Sequence, residues 1–399
     1  MATTPTYQSY DVIIIGGAML GSSAAWWTAQ NPDFTGRILV VERDPTYQFA
    51  ATTHTNSCIR QQYGTEINVR ISQFGVDFLQ NFARYMQDAE APKIHLHDFG
   101  YLYLADSQSF ADVLIDNQLM QSSLGAGTRI MSPDQILAEY PFYNLDGILL
   151  GSHNPLNEGY FDGGTMFDWF RKKARHLGAE YIHNEVTGIT RQGARVTGVT
   201  LASGETVSAG IIINASGPRG AVTARMAGLD IPIEARRRFT FIFDAADPLG
   251  RDLPLTIDPS GVHMRTDGRY YMAGCPPDDG DPAVAFDDFA MDHSIWEDKV
   301  WPALATRVPA FERVKLINAW VGHYDYNTLD QNAIIGPHPE VGNFLFANGF
   351  SGHGLQQSPA MGRALSELIC YGGYRTLDMA PLGYDRIARG EPLRERAII

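Results

Sequence analysis

The sequence contains few cysteines: there are three among 399 residues, Cys58, Cys275 and Cys370. They are too few and too far apart to form a disulfide framework, and their spacing fits no Cys-x-x-Cys metal site. We therefore expect a reducing compartment, which favours the cytoplasm, and no metal centre.

Long apolar runs are also missing. No stretch of about 18 consecutive apolar residues occurs, and Met1 to Tyr10 lack the basic start and apolar core of a signal peptide. We therefore expect no membrane span and no secretion. A cytoplasmic location remains, and peripheral association with a membrane stays open.

Positive charge is scarce relative to negative charge. The chain has 31 Lys and Arg residues and 45 Asp and Glu residues, so its formal net charge is −14. Such a field repels nucleic acid, and we expect no nucleic-acid partner. The one basic run, Arg236-Arg237-Arg238, is predicted to be a solvated strand edge, with an inward-facing anion site as the alternative.

The sequence does contain enough apolar residues for a large core, since 44% are hydrophobic and 19% are charged. At roughly 150 residues per domain, the length indicates two or three domains. The first strong pattern is the β-branched run of residues 10–15, followed by a glycine-rich turn, a plausible helix and a second apolar run, 38–41. Strand, turn, helix and strand in this order predict a βαβ unit.

The turn of this unit has the pattern of a dinucleotide site. It reads G-x-A-x-x-G, in which Gly16 permits the tight turn, Ala18 is small enough for a pyrophosphate to approach, and Gly21 allows close packing of helix and strand. Glu42 ends the second strand, where an acid can bind a ribose diol. The sequence therefore predicts dinucleotide binding, with an unrelated α/β glycine turn as the alternative.

The rest of the chain alternates between two kinds of strand. Residues 211–215 form another buried apolar run, whereas residues 98–104, 238–244 and 268–274 alternate apolar and polar side chains. Alternation is typical of antiparallel strands with one covered face. A chain that leaves a βαβ domain, makes such strands and returns twice predicts two interleaved domains.

A second glycine-rich loop lies near the C-terminus. A predicted strand over residues 341–347 leads to Gly349-Phe350-Ser351-Gly352-His353-Gly354, and a helix is predicted from Leu355 to Cys370, with Pro359 in its first turn. Two loops that each feed a helix N-terminus suit a long cofactor with two polar ends, which favours FAD.

Further motifs connect these loops to a known family. They are Ile59-Arg60-Gln61-Gln62-Tyr63-Gly64, residues 158–162 and residues 214–217. With the two loops, they make the sequence resemble the D-amino-acid oxidase and sarcosine oxidase superfamily of FAD-dependent amine oxidoreductases. Residues 299–311 and 324–339 resemble the branch that contains a mitochondrial flavoprotein assisting the assembly of respiratory complex I.

The resemblance implies an α/β fold in which a GR2-type, Rossmann-like FAD domain is interleaved with an α+β, mainly antiparallel substrate domain. We assign residues 1–90, 150–225 and 325–399 to the FAD domain, and residues 91–149 and 226–324 to the substrate domain. The cofactor-binding residues that the motifs and the resemblance indicate are Gly16, Ala18, Met19, Leu20, Gly21, Glu42, Arg43, Thr53, His54, Val186, Ala215, Gly217, Gly349, Gly352, His353, Gly354, Leu355 and Gln356.

The resemblance also implies substrate contacts. Arg60 matches an arginine that clamps a substrate carboxylate in similar oxidases; a salt bridge to Glu42 or another nearby acid is the alternative. Gln356 replaces the lysine that shares this carboxylate, so the substrate can differ from a small α-amino acid. Tyr324 and Tyr326 are predicted to wall an amine pocket through cation–π contacts, or to serve only in packing.

Flavin attachment and oxygen reactivity follow from the same resemblance. Similar dehydrogenases attach flavin through a histidine near His54, but the surrounding small-residue motif is absent, and residues 322–328 lack the cysteine used by monomeric sarcosine oxidases. We therefore expect non-covalent FAD. Similar oxidases place a lysine over the flavin where an ungapped match gives Met272, which favours a dehydrogenase over a fast oxidase.

The sequence therefore predicts an FAD-dependent enzyme that oxidises the C–N bond of a secondary or tertiary amine or amino acid by hydride transfer to flavin N5. Its expected partners are this small substrate and an electron acceptor, which is oxygen, a quinone or an electron-transfer protein. The alternative is a non-enzymatic assembly factor for a respiratory complex that keeps FAD as a structural element.

Overall fold

The computed structural model describes residues 2–396, in which two eight-stranded sheets dominate. The strands of the first sheet are β1 (Ser9–Ile15), β2 (Ile38–Glu42), β9 (Glu180–His183), β10 (Val186–Gln192), β11 (Arg195–Leu201), β12 (Thr206–Asn214), β18 (Ile334–His338) and β19 (Val341–Asn348). Those of the second are β5 (Tyr101–Ala105), β6 (Arg129–Met131), β7 (Leu150–Asn154), β13 (Ile233–Ala245), β14 (Leu255–Ile257), β15 (His263–Asp267), β16 (Tyr270–Cys275) and β17 (Val314–Asn327).

The remaining elements connect and cover these sheets. A small sheet contains β3 (Cys58–Ile59), β4 (Leu96–His97) and β8 (Gly159–Phe161). The α-helices are α1 (Met19–Gln30), α2 (Glu66–Gln80), α3 (Phe82–Met86), α4 (Gln108–Ser123), α5 (Pro133–Glu139), α6 (Gly163–His176), α7 (Gly220–Met226), α8 (Trp301–Arg307), α9 (Gly354–Tyr371) and α10 (Asp385–Arg389).

The first sheet is built on β1, which runs parallel to both β2 and β12. Val12, Ile13 and Ile14 are fully buried, because one face of the sheet packs against α1, α2, α6 and α9 and the other against α7. This explains the continuous apolar run in the sequence. The long β12 pairs with β11 through its first half and with β19 through its second half.

The second sheet is antiparallel except where β14 pairs in parallel with β5. One face packs into a core with α8 that includes Phe239, Phe241 and Phe243. The alternating residues Arg238 and Thr240 therefore belong to the opposite face. This arrangement of mixed parallel and antiparallel sheets confirms the predicted fold class.

The structure departs from the sequence prediction in two details. β7 belongs to the second sheet, where it pairs with β5 and β6, although the sequence division placed residues from 150 onward in the FAD domain. Pro359 is the sixth residue of α9 and so lies beyond its first turn. No helix within residues 2–396 is long and apolar enough to cross a bilayer.

Candidate functional site

Within residues 2–396, side chains of both sheets line a cavity of about 320 Å³. It extends from Gly16, after β1, to His263, on β15. Drug-sized ligands occupy pockets of roughly 300–1,000 Å³. The cavity volume lies within this range, so the cavity can take a small-molecule ligand.

One end of the cavity is formed by the turn between β1 and α1. Gly16 has φ +98°, and a Cβ atom there would lie 2.4 Å from the carbonyl oxygen of Ala215. Ala18 precedes α1 and provides no side-chain cap, and the Met19 N–H donates to Thr52 Oγ1 at 3.3 Å, so the next N–H groups of the first turn stay free at this end of the cavity. Free N–H groups and the helix dipole attract a phosphate.

Glu42 completes this end. Its two carboxylate oxygens accept N–H bonds from Gly17 and Asp44, each at 2.8 Å. Burial raises the pKa of the Glu42 carboxyl, while these two bonds oppose the rise. The carboxylate lines the cavity and keeps free lone pairs, which suits the predicted contact with a ribose diol.

The second glycine-rich loop is held by Asp325, at the end of β17. Its Oδ2 accepts N–H bonds from Gly349 at 2.9 Å and Phe350 at 3.1 Å, and its carbonyl oxygen accepts one from Ser351. Gly349, Ser351 and Gly352 all have positive φ, so the loop needs such support. Burial raises the pKa of Asp325 to about 6.

This loop delivers the start of α9 to the cavity. His353 precedes α9 and makes no side-chain capping bond, so a second helix N-terminus faces the same cavity as α1. The two helices have 12 and 18 residues. Two uncapped N-termini fit a cofactor with a pyrophosphate at one end and electron-rich carbonyl oxygens at the other, as FAD has.

Most predicted cofactor residues reach this cavity. Those that line it are Gly16, Ala18, Met19, Leu20, Glu42, Arg43, His54, Val186, Ala215, Gly217, Gly352, His353, Gly354, Leu355 and Gln356. Three do not line it. Gly21 packs against the backbone of Gly16, Thr53 Oγ1 donates to the carbonyl oxygen of Tyr47 or Ala50, and Gly349 donates its N–H to Asp325.

Arg60 lies in the cavity wall with 1% of its surface exposed. Its Nη2 donates to Nε2 of His353 at 2.9 Å, whereas Nε and Nη1 have no hydrogen-bond partner. No carboxylate of residues 2–396 lies within 4.0 Å of the guanidinium, so the alternative salt bridge to Glu42 is not formed. A buried cation with two free donors is chemically suited to an anion.

Neighbouring side chains fix Arg60 in place. The guanidinium carbon lies 4.5 Å from the ring centre of Tyr63 and 5.6 Å from that of Tyr103. Burial and then the charge of Arg60 lower the pKa of His353 well below its usual value, so this imidazole is neutral and accepts the Arg60 bond. Gln356 Oε1 accepts the Arg60 backbone N–H at 2.9 Å, and its Nε2 donates to the Tyr63 hydroxyl.

The aromatic residues differ from the prediction. Tyr324 lines the cavity, but Tyr326 does not. Each ring already lies against an arginine, with Arg238 4.6 Å from the Tyr324 centroid and Arg236 3.9 Å from the Tyr326 centroid. The cation–π contacts predicted for a substrate amine are therefore made within the protein.

The arginine run is neither a solvated strand edge nor an open anion site. Asp281, on the loop after β16, pairs with Arg238 through contacts of 2.7 and 2.8 Å and with Arg236 at 3.4 Å. Arg237 pairs with Asp288 on the same loop. Of the three arginines, Arg238 alone lines the cavity.

Met272, which the sequence predicts to lie over the flavin, does not line the cavity. It is 5% exposed and lies opposite Ile242 and Arg265 in the sheet. Gly274 is the β16 residue opposite Thr240 and His263, which do line the cavity. The strand register that decides which residues of β16 reach the cavity cannot be obtained from the sequence.

Three polar residues on this wall, which the sequence does not predict as part of the site, are Asn56, Thr240 and His263. Alternation along residues 238–244 marked Thr240 as a member of one face, but no pattern in the sequence indicates that a loop asparagine meets a strand histidine more than 200 residues away. Asp325 was also missed, although it lies within a motif that resembles the family.

No group of three or more His, Cys, Asp or Glu residues within residues 2–396 is arranged to hold a metal ion. The chemical groups that line the cavity are therefore its glycine turns, its carboxylates and its arginines.

Comparison with known proteins identifies the class. Residues 11–368 match the family described as FAD dependent oxidoreductase, and the chain belongs to this family. FAD is accordingly its cofactor, and the two uncapped helix N-termini and the Gly16 turn fit that group. The family predicted from the sequence is confirmed.

Two proteins of known name are similar to this chain over most of their length. The FAD-dependent oxidoreductase domain-containing protein 1 of Xenopus laevis is 37% identical over 98% of this chain and 85% of its own length. Sarcosine oxidase subunit beta of an Arthrobacter species is 24% identical, with 97% of this chain and 93% of that protein covered.

Two solved structures share the fold. L-proline dehydrogenase from P. horikoshii superposes with a TM-score of 0.83 at 24% identity and covers 96% of this chain and 99% of that chain. Glycine oxidase from Geobacillus kaustophilus gives 0.78 at 18% identity, covering 94% and 98%. At these identities the likeness shows the fold alone.

Proposed function

We propose that this FAD-dependent oxidoreductase oxidises the C–N bond of a secondary or tertiary amino acid, and that it acts as a dehydrogenase. The observation that carries the proposal is Arg60, a buried guanidinium with two free donors in the wall of the FAD cavity. A substrate carboxylate matches this planar fork with two parallel hydrogen bonds. A protein that kept FAD only as a structural element would need no such cation.

The chemistry requires few protein groups. Removal of a hydride from the carbon next to a neutral amine nitrogen, secondary or tertiary, leaves an iminium ion, and water then hydrolyses this ion to a carbonyl compound and an amine. Bound FAD supplies the two-electron acceptor at flavin N5. Arg60 binds the carboxylate, and neutral His353 orients Arg60, so the chain positions the substrate.

No side chain of the cavity is assigned as the base that would remove a proton from the substrate nitrogen. The acids that line the cavity are Glu42, Asp44, Glu185 and Asp325, and Asp325 is occupied by the glycine loop. The other three surround the end of the cavity near Gly16. We therefore infer that the amine binds in its neutral form, in which the hydride donor carbon is already activated.

Among residues 2–396, the cavity wall has no unpaired cation at its substrate end other than Arg60. Reaction of reduced flavin with oxygen begins by forming superoxide, which a nearby positive charge stabilises. Of the arginines that line the cavity, Arg238 is paired with Asp281 and Arg43 with Glu185, and Arg60 is neutralised by the proposed carboxylate. Arg219 has no carboxylate within 4.0 Å among residues 2–396, but it lies close to Arg43, toward the Gly16 end of the cavity. This supports a dehydrogenase that passes electrons to a quinone or an electron-transfer protein.

The cofactor is proposed to be non-covalent. Cys58 lines the cavity, but its thiol donates to the carbonyl oxygen of Asn56 at 3.2 Å, and burial raises its pKa, so it is a poor nucleophile. His54 Nδ1 lies 3.2 Å from the carbonyl oxygen of Ala50. We expect acid precipitation to release all FAD into the supernatant, measured by its absorbance. Flavin that stays with the pellet would instead indicate attachment at His54.

Arg60→Lys tests the proposed function. One ammonium cannot form two parallel bonds, so loss of about 1–3 kcal/mol is expected, which raises the substrate constant about 5- to 150-fold. The measurement is anaerobic reduction of the flavin by N-alkyl amino acids. FAD content should be unchanged, and the exposed Arg313→Lys should behave as the wild type.

An amine without a carboxylate provides the second arm of this experiment. The reaction of this amine should be insensitive to Arg60→Lys, because the amine forms no hydrogen bonds with the Arg60 guanidinium. Equal kinetics of the two proteins on a carboxylated substrate would remove Arg60 from the site. If no amine or amino acid reduces or perturbs the flavin, the enzymatic proposal is wrong and the assembly-factor alternative is favoured.

A further inference from the structure

A chain of hydrogen bonds crosses the cavity wall that the second sheet provides. The Thr240 hydroxyl donates to Asn56 Oδ1 at 3.3 Å, and Asn56 Nδ2 donates to His263 Nε2 at 3.0 Å. All three residues line the cavity. The imidazole lies over Gly274, where a Cβ atom would come within 2.5 Å of His263 Nε2. The missing side chain of Gly274 therefore makes room for this ring.

The bonds define what His263 offers to the cavity. Because Nε2 accepts a hydrogen bond, the neutral ring carries its proton on Nδ1, and this Nδ1–H has no partner. Burial, followed by the charges of Arg265 and Arg238, lowers the pKa of His263 to about 4, so the ring is neutral at pH 7. His263 is 9% exposed, and a buried donor without an acceptor is costly.

The strand register places this donor relative to Arg60. The Arg60 guanidinium lies over Tyr103 on β5, Tyr103 is opposite Ile257 on β14, and Ile257 is opposite His263 on β15. Two strand spacings separate the Tyr103 and His263 backbones by roughly 10 Å. Arg60 and His263 therefore belong to the same wall, at a separation that an amino acid with a short side chain can span.

The wall between the two donors is mainly apolar. Leu255 on β14 and Tyr101 on β5 line the cavity, and each lies two residues along its strand from the Tyr103, Ile257 and His263 row. This surface suits the methylene carbons of a side chain and offers no charge to them. An acceptor atom at the end of that side chain would then meet His263.

We propose that His263 determines specificity by donating its Nδ1 hydrogen to a side-chain acceptor of an amino acid whose carboxylate is bound by Arg60. The substrate class is an N-alkyl amino acid with a short side chain that ends in a carbonyl, carboxamide or carboxylate group. This inference rests on the proposed function. The same donor could serve an acceptor atom of the flavin, so the experiment must separate the two sources.

The test compares two substrates of matched shape, N-methylasparagine and N-methylleucine. Their side chains differ in polarity but little in outline. We expect the wild type to favour N-methylasparagine, and His263→Phe to reduce the ratio of the two kcat/KM values about 5- to 150-fold, since one buried donor is lost. Taking the ratio within each variant cancels differences in folding and FAD content.

Two further variants sharpen the result. His263→Asn places an amide N–H near the position of Nδ1, so it should keep the ratio within a few-fold of the wild type. His153→Phe removes another fully buried histidine of the same sheet that is outside the cavity, and it should leave the ratio unchanged. A ratio that falls equally in His153→Phe would indicate a general packing effect and overturn the proposal.

The alternative that His263 donates to an acceptor atom of the flavin is tested without substrate. The absorbance spectrum and midpoint potential of the ligand-free holoenzyme should be the same in the wild type and in His263→Phe. A shift in both, with an unchanged substrate ratio, would assign the donor to the flavin and overturn the proposal.

Failure of the proposed function gives a different pattern. If amino acids reduce the flavin but the substrate ratio is near one in the wild type, only the specificity proposal is wrong. If neither amino acid reacts, titration of the flavin absorbance still yields two dissociation constants, and their ratio replaces that of kcat/KM. If neither binds, both proposals are wrong.

Discussion

The two ends of the cavity bind their ligands by different means. At the end near Gly16, backbone N–H groups of α1, a turn without side chains and one carboxylate provide the contacts. At the other end, side chains supply free donors, which are the Arg60 guanidinium and the His263 imidazole. Backbone contacts depend on the fold and suit an invariant cofactor, whereas side-chain donors can be exchanged without altering the fold. We therefore expect substitutions at the first end to affect FAD binding and those at the second to affect substrate and acceptor.

The largest effect is expected for Gly16→Val. The positive φ of Gly16 disfavours a branched residue, and its Cβ atom would collide with the Ala215 carbonyl oxygen at 2.4 Å. The variant should lose FAD entirely, which the ratio of flavin to protein absorbance measures. Gly178→Val is the matched control: Gly178 has φ +97°, but no atom lies within 4 Å of the place that its Cβ atom would occupy, so FAD should be retained. A folded, yellow Gly16→Val protein would show that the phosphate turn is assigned wrongly.

Asp325→Asn tests whether the glycine loop belongs to the cofactor end. Gly349 and Phe350 donate to the same oxygen, so the carboxamide oxygen can still accept both bonds, but a neutral acceptor holds them more weakly than the carboxylate does. A loss of about 1–3 kcal/mol weakens FAD binding about 5- to 150-fold. The dissociation constant of FAD measures this effect, and exposed Asp298→Asn should leave it unchanged.

The pH dependence of FAD release provides an independent check. Because burial raises the pKa of Asp325 to about 6, protonation as the pH falls through 6 removes the charged acceptor from the loop. FAD should therefore dissociate faster at pH 5 than at pH 8 in the wild type. The Asp325→Asn variant should show a smaller difference between these two values, because it has no carboxyl to protonate at this position.

The smallest expected effect concerns the electron acceptor at the substrate end. Asp281→Asn leaves Arg238 without its bidentate carboxylate, so a positive charge in the cavity wall is no longer neutralised. Reoxidation of the reduced enzyme by air should be slow in the wild type and roughly 5- to 10-fold faster in the variant, equivalent to about 1 kcal/mol. Stopped-flow mixing with air-saturated buffer measures it.

Asp278→Asn is the matched control for this prediction. Asp278 lies on the same loop but pairs with Lys299, which does not line the cavity. Its removal should leave the oxygen reaction unchanged. Fast reoxidation of the wild type would indicate a cation within reach of the flavin that is not described above, and the oxidase alternative would then be favoured.

The cofactor end could be predicted from sequence because its determinants are local. Gly16, Ala18 and Glu42 lie within one βαβ unit, so the spacing of residue types is sufficient. The second glycine loop is equally local, and α9 begins and ends within one residue of the prediction.

The substrate end could be predicted only in part because its determinants are distant in sequence. Arg60 was found through a motif, and its contact with His353 spans 293 positions. Met272 and Gly274 share one face of β16, and whether either reaches the cavity depends on the pairing with partner strands rather than on the strand itself. The pairing of Asn56 with His263 needs the folded chain, as does the neutralisation of Arg238 by Asp281.

The pairing of β12 with β19 also has a consequence for synthesis. A chain growing on the ribosome has produced β1, α1 and β12 well before residues 341–348 are available to complete the first sheet. Until α9 is made, the face of α1 that packs against it has no partner within the chain. FAD cannot stabilise the incomplete chain, because the N-terminus of α9, one of the two helix N-termini that face the cavity, has not yet been made. We therefore expect folding and cofactor uptake to occur together, after release of nearly the whole chain, and nascent chains to depend on chaperones until then.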